Sequence, residues 1–215
     1  MKKRIIVGIS GASGVIYGVR CLQHLKRTDY ETHLVISDAG KLNIEIETAY
    51  KANDVISMAD YAHDHKNMAA SISSGSFLTA GMVVAPCTIK SLSGIANSYD
   101  DNLLVRAADV VLKEKRKLCL VVRETPLHKG HLRLLSAAAD MGAHILPPIP
   151  SFYHQPKTIE DIIDQTIGKI FDYFGIEHDL FKRWSGERRV QVADVCPAPA
   201  RFQGKKTAIY SRIGG

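Results

Sequence analysis

Arg4-Ile-Ile-Val-Gly-Ile-Ser-Gly-Ala-Ser-Gly14 is the stretch that decides the fold. Its first half is a continuous β-branched run ending in glycine, the pattern of a strand buried on both faces, as in a parallel sheet. Its second half is a Gly/Ser turn, and Val15 to Leu25 then repeats apolar residues at helical spacing. The same succession recurs along the chain. Thr32-His-Leu-Val-Ile-Ser37, Ala80-Gly-Met-Val-Val-Ala85, Lys117-Leu-Cys-Leu-Val-Val122 and the short His144-Ile-Leu146 read as strands. Gly40–Tyr50, Ser91–Ala96, Asp101–Lys115, Leu127–Met141 and Thr158–Phe174 read as helices. Strands alternating with helices specify an α/β fold, a parallel sheet with helices on both faces.

Composition agrees with one such domain. The chain has 215 residues, 46% apolar and 23% charged, enough to bury a core and too apolar for a disordered chain. No apolar run approaches the roughly 20 residues a membrane helix needs, and Met1-Lys-Lys-Arg4 is followed by too short an apolar stretch for a signal peptide. The four cysteines lie far apart without a Cys-x-x-Cys pair, which argues against zinc or a redox dithiol and for a reducing, cytoplasmic setting. The formal charge is +6, but residues 185–215 hold six Lys/Arg against two acids, leaving only +2 on residues 1–184. Net charge is therefore weak ground for a nucleic-acid partner, and the basic tail offers only Phe202 and Tyr210 for stacking. We divide the chain into a domain over residues 1–184 and a basic extension over 185–215. The extension is read as disordered or draped over a neighbouring subunit, with a short strand at Thr207–Tyr210.

In a doubly wound sheet ligands bind at the carboxyl edge of the strands, so the turns that follow the strands carry the chemistry. The Gly8–Gly14 turn opens a helix whose amides favour an anion, with Ser10 and Ser13 as added donors. It suits a phosphate or a flavin, or else a tight turn with a serine cap. Neither a Gly-x-Gly-x-x-Gly dinucleotide fingerprint, nor a P-loop, nor a Gly-x-Ser-x-Gly elbow is present. After the third strand, Pro86-Cys-Thr-Ile-Lys-Ser91 offers two hydroxyls and a cation, and Cys87 reads as a buried structural thiol rather than a nucleophile. Ser71–Ser76 is a hydroxyl-rich loop open to either a phosphate or plain solvent. Arg123-Glu124 ends the fourth strand, where a guanidinium can hold phosphate and a carboxyl can exchange protons, or the two can form a structural ion pair. His63-Asp-His65 and His128-Lys-Gly-His131 lack the partners a metal site needs and read as surface or capping histidines.

Together these turns resemble the UbiX-type flavin prenyltransferases, once labelled aromatic acid decarboxylases. The resemblance runs from Arg4 to Trp184. Its blocks include Gly11-Ala-Ser-Gly14 with Tyr17-Gly18, Glu47-Thr48, Ser74-Gly-Ser76, Pro86-Cys87 with Lys90, Arg106-Ala-Ala-Asp109, Leu112-Lys-Glu114, Arg123-Glu124, Phe152-Tyr153 and Arg183-Trp184. It implies a flavodoxin-like Rossmann subunit that joins the dimethylallyl group of dimethylallyl monophosphate to N5 and C6 of reduced FMN. The product, prenylated FMN, would serve a UbiD-type decarboxylase, and no metal is required. By matching positions, Gly11, Ala12, Ser13, Ser37, Thr88, Ile89, Lys90, Ser91 and Arg123 would hold FMN. Arg106, Lys113, Arg123, Glu124, Tyr153, Lys169 and Trp184 would surround the prenyl phosphate, with Ser13, Glu47, Lys113 and Glu124 as the catalytic set. The resemblance also implies dodecamers built from trimers, with sites shared between subunits. Departures are few: Pro86-Cys-Thr-Ile-Lys-Ser91 replaces Pro-Cys-Ser-x-Lys-Thr, Lys169 stands where some members have arginine, and His128-Lys129 has no counterpart. Two rival readings are a cysteine-type flavin decarboxylase, whose Pro-x-Met-Asn segment is missing, and an FMN-binding accessory subunit without turnover.

Overall fold

The computed structural model describes residues 2–184 and 186. The strand expected at Thr207–Tyr210, and the fate of the basic extension, lie outside the described residues. The chain divides into two units, Met1–Lys182 and Arg183–Gly215. Every described strand and helix belongs to the first unit.

Six parallel strands form one sheet: β1 (Lys3–Ile9), β2 (Tyr30–Ile36), β3 (Tyr61–Asp64), β4 (Gly81–Cys87), β5 (Lys117–Val122) and β6 (His144–Ile145). Their order is β3-β2-β1-β4-β5-β6. Set aside the four-residue edge strand β3 and the order is that of a flavodoxin-like sheet, with its switch point between β1 and β4. The β-branched run at Arg4 is fully enclosed from Ile5 to Ile9 because helices cover both of its faces.

One face carries α1 (Ile16–Leu25), α2 (Asp38–Glu47), α3 (Ala52–Ile56) and α7 (Ile159–Phe174), whose apolar sides join Val7, Ile9, Leu34, Val83 and Val121 in one core cluster. The other face carries α4 (Ile89–Ala96), α5 (Leu103–Lys113) and α6 (Lys129–Asp140) over Ile6, Met82, Val84 and Leu120. Strands β1, β2, β4 and β5 thus send alternate side chains into two separate cores, as period-two geometry requires.

Local signals set the helix starts. Ser37 accepts from the Gly40 N–H, Thr88 from the Ser91 N–H, Asn102 from the Val105 N–H, and Thr158 forms a capping box with Asp161. Strand β3, helix α3 and a 3-10 turn at Ser71–Ser73 are additions to the elements expected from sequence. The second helix begins at Asp38, earlier than Gly40, because Ser37 caps it. Among the described residues, no helix is long and apolar enough to cross a membrane.

Candidate active site

Three helix starts converge at the carboxyl edge, beside the switch point. A cavity of about 370 Å³ opens there, lined by Ser10, Gly11, Ser37, Asp38, Thr88, Lys90, Ser91 and Asn102 among others. Its two walls are tied together by one hydroxyl. Ser10 Oγ donates to the Pro86 carbonyl at 2.9 Å and accepts from the Thr88 N–H at 2.8 Å, locking the β1 turn onto the β4 turn. Thr88 Oγ1 caps α4 and passes a hydrogen bond to Ser91 Oγ at 3.0 Å, so the Ser91 hydroxyl proton remains for a ligand. The starts of α2 and α4 both face this cavity, and their amides with the Lys90 ammonium favour an anion there. Lys90 is paired with Asp101 at 3.2 Å and is otherwise open to solvent.

The start of α1 is already taken. Glu47, the last residue of α2, accepts from the Gly14 N–H at 2.7 Å and from the Val15 N–H at 3.3 Å, both through Oε2. Gly14 has φ +94°, a backbone that favours glycine, and this turns its amide toward the carboxylate. Glu47 therefore fastens α2 to the glycine turn, while Oε1 makes no hydrogen bond among the described residues. Ser13, next to this junction, is exposed. Replacing Glu47 with Ala should lower stability by about 1–2 kcal/mol, as the loss of a helix cap does, whereas Gln keeps an acceptor for Gly14. Thermal melts of E47A and E47Q should separate accordingly.

Cys87 is fully buried at the end of β4, and burial pushes its thiol up to about 12. Cys21 and Cys119 are also free and buried. None of the three should react with iodoacetamide at pH 8 unless the protein is unfolded; peptide mass mapping of the native protein reads this directly. A nucleophilic role for Cys87 has no support in this geometry.

The residues expected around a prenyl phosphate are not brought together within one chain. Arg123 follows β5, its N–H bonded to the Cys87 carbonyl at 3.1 Å, so it stands at the carboxyl edge beside the cavity wall. Its exposed guanidinium has no partner among the described residues, and Glu124 is spent only on the neighbouring Thr125 N–H. Arg106 and Lys113 lie on α5. Asn102, the cap of that helix, lines the cavity, and the helix runs away from it, so Lys113 ends about 16 Å further down at the opposite edge. There Lys113 pairs with Glu114 against Gly75, where a Cβ would sit 2.8 Å from the Lys113 ammonium. Arg106 is held by Asp100 at 3.0 Å, Asp109 at 3.4 Å and the Ser73 carbonyl at 3.2 Å.

Tyr153 and Lys169 belong to the other face. Tyr153 precedes α7 and accepts from Gln165 at 3.5 Å; Lys169 stands on α7, 3.9 Å from Asp172 and over the Phe181 ring. Trp184 is in the second unit and is 63% exposed.

The cavity also contains residues that sequence reasoning did not single out, Asp38, Ala39, Lys66, Asp101 and Leu104, and His65, which was read there as a surface or capping histidine. Lys66 and His65 follow β3 and reach Asp38 at 3.1 and 3.6 Å, and the Lys66 contact holds the Asp38 carboxyl below its usual range. Ala12 and Ile89 flank the cavity turns without lining it. Among the described residues there is no group of three or more His, Cys, Asp or Glu placed to hold a metal.

The polar half of the cavity fits a phosphorylated ligand, and Leu104 with Ala39 give it an apolar wall. Comparison with known proteins points the same way. A family profile described as Flavoprotein matches residues 1–174. The flavin prenyltransferase UbiX of Escherichia coli K12 is 59% identical over 187 residues, covering 86% of this chain and 99% of that protein. Among solved structures, AnUbiX (PadA1) in complex with FMN and dimethylallyl pyrophosphate superposes with a TM-score of 0.86 at 44% identity, covering 87% of this chain and all of that one. The dodecameric FMN-dependent UbiX-like decarboxylase of Escherichia coli O157:H7 superposes with a TM-score of 0.84 at 49% identity, covering 85% of this chain and all of that one.

Proposed function

The chain belongs to the Flavoprotein family, among its UbiX-type flavin prenyltransferases, and on that premise we propose how its residues divide the work of prenylating FMN. The enzyme is a flavin prenyltransferase, and FMN is its acceptor. The observation that carries the site assignment is the meeting of the α2 and α4 starts in one cavity with Ser37, Thr88, Lys90 and Ser91. Those amides, hydroxyls and the ammonium hold the FMN phosphate. Gly11, Ala12 and Ser13 then lie along the flavin, and Ser13 and the open oxygen of Glu47 face its reacting edge.

The donor is dimethylallyl monophosphate. Its C–O bond breaks as N5 of reduced FMN bonds to the prenyl carbon, and N5 gives up its proton to the departing inorganic phosphate. Protonation of the prenyl alkene lets C6 close the ring, and the C6 proton is then lost, so one proton is given and one removed. Glu47 and Glu124 are the carboxyls available for these transfers, and E47Q should retain FMN while slowing ring closure. Arg123, Lys113, Arg106 and Lys169 stabilise the departing phosphate, with Tyr153 against the prenyl group.

Because α5 and α7 cover opposite faces of the sheet, and Lys113 lies a helix length from the cavity, these groups come from different subunits. Each chain supplies the FMN cavity and lends its α5 and α7 cations to neighbours in a trimer-based dodecamer. The product serves a UbiD-type decarboxylase. We place the reaction in the cytoplasm, a reading supported by three free buried cysteines. Incubation with reduced FMN and dimethylallyl monophosphate, followed by mass analysis of the released flavin, tests the assignment.

A further inference from the structure

A larger cavity, of about 560 Å³, opens at the opposite edge of the sheet, where β1, β4 and β5 begin. Its size falls within the roughly 300–1,000 Å³ of small-ligand sites. Its rim is cationic: Lys2, Lys3, Arg4, Lys115, Arg116 and Lys117 line it, and among the described residues no Asp or Glu does. Arg4 is the one cation of the six in an ion pair among the described residues, with Glu31 at 2.8 Å. Arg116 and Lys117 spend their donors on backbone carbonyls, of Phe77 and Gly75 and of Tyr173 respectively. Lys2, Lys3 and Lys115 have no hydrogen-bonded side-chain partner among the described residues. Besides Glu31, two carboxylates are within electrostatic reach: Asp60 feels Lys2, and Glu114 feels Arg116 but is committed to Lys113.

The remainder of the lining is apolar and aromatic. Tyr30, Phe174 and a 70%-exposed Leu78 line the same cavity. Thr79 lies between Leu78 and Ala80 in the lining, and its hydroxyl oxygen is buried without a partner. A body that carries only +2 over its first 184 residues therefore gathers five cations outside any described ion pair around one apolar hollow. Like charges held this close repel one another until an anion is present.

The geometry points to a second ligand site here, for a small organic phosphate with an apolar or aromatic body. The phosphate sits among Lys2, Lys3 and Lys115, and the body lies against Leu78, Tyr30 and Phe174. An inorganic anion leaves the apolar lining unused, and an uncharged aromatic leaves the cations uncompensated. The site is separate from the FMN cavity of its own chain, being at the other end of the strands, and it uses Lys2, Lys3, Lys115 and Leu78 rather than the Lys113 that the proposed shared site lends to a neighbour.

The test is calorimetric titration of the full-length, FMN-saturated protein with 1-naphthyl phosphate. One equivalent per chain should bind. The double substitution Lys2→Gln, Lys115→Gln should weaken it at least about tenfold, the scale of two lost charge-assisted contacts. Leu78→Ser should weaken it as well, and inorganic phosphate should bind at least about tenfold less tightly than the naphthyl ester. Prenylation should proceed at the parent rate in these variants, which also shows that they fold. Unchanged affinity in either variant would place the naphthyl phosphate elsewhere and overturn the proposal. Equal binding of inorganic phosphate would remove the apolar body from it. Displacement by a Glu-rich peptide at lower concentration than the naphthyl ester would make the patch a protein-docking surface instead.

Discussion

Arg123→Ala, assayed on protein saturated with FMN, should prenylate at about one hundredth of the parent rate. A monophosphate leaving without a metal must have its developing charge met by protein donors, and one well-placed donor is worth about 3 kcal/mol in such a site. Arg123 is the clearest candidate because its guanidinium has no partner among the described residues while its backbone is pinned to Cys87 at the ligand edge. Arg106, by contrast, is already engaged by two carboxylates and a carbonyl. Arg123→Lys should fall between the two rates, keeping charge but losing the two-pronged contact. Added magnesium should restore neither variant. Flavin saturation must be shown for each, since Arg123 is also assigned to FMN. A parent rate in flavin-loaded R123A would put the phosphate pocket elsewhere.

Lys113→Ala should be comparably slow alone, yet mixing it with Arg123→Ala subunits should bring activity back. Lys113 sits at the far end of α5 from the cavity of its own chain, so in the shared site proposed above the Lys113 and Arg123 of one site belong to two chains. Random reassembly of equal amounts of the two variants then leaves about a quarter of the sites with both residues intact. If one chain supplied both, every site in the mixture would lack one of them. Separate dissociation, mixing and reassembly, with the unmixed variants as controls, reads the difference directly. Activity no higher than that of the unmixed variants would contradict the shared site.

The Arg4 run and the turn after it were legible because an uninterrupted β-branched segment is stable only when covered on both faces, and both cores do cover it. Thr88 was legible as a helix-start residue, a hydroxyl that follows a strand and precedes a helical pattern, whereas Ser37 was read as the end of a strand and proves to cap α2. Strand β3 was not, since Tyr61-Ala-His-Asp64 has no apolar run; it is an exposed edge strand held mainly by pairing with β2. Missing it meant missing Lys66 and leaving His65 as a surface histidine, whereas both reach the cavity because β3 ends beside Asp38.

Glu47 was singled out as a proton-transfer residue, but its bonds to Gly14 and Val15 come from the docking of α2 on a turn 33 residues earlier, which no spacing rule reports. Lys113 was the least legible position. Its block Leu112-Lys-Glu114 is plain in the sequence, whereas its distance from the flavin edge depends on the direction in which α5 runs along the sheet.

The most direct test of flavin prenylation by this chain is the mass of the flavin recovered after anaerobic incubation of the pure protein with reduced FMN and dimethylallyl monophosphate. A flavin heavier by one prenyl unit, formed in amounts exceeding the enzyme when a product acceptor is supplied, is the predicted result. FMN bound at every site and recovered with its mass unchanged would contradict it, and would make the protein a flavin carrier without turnover.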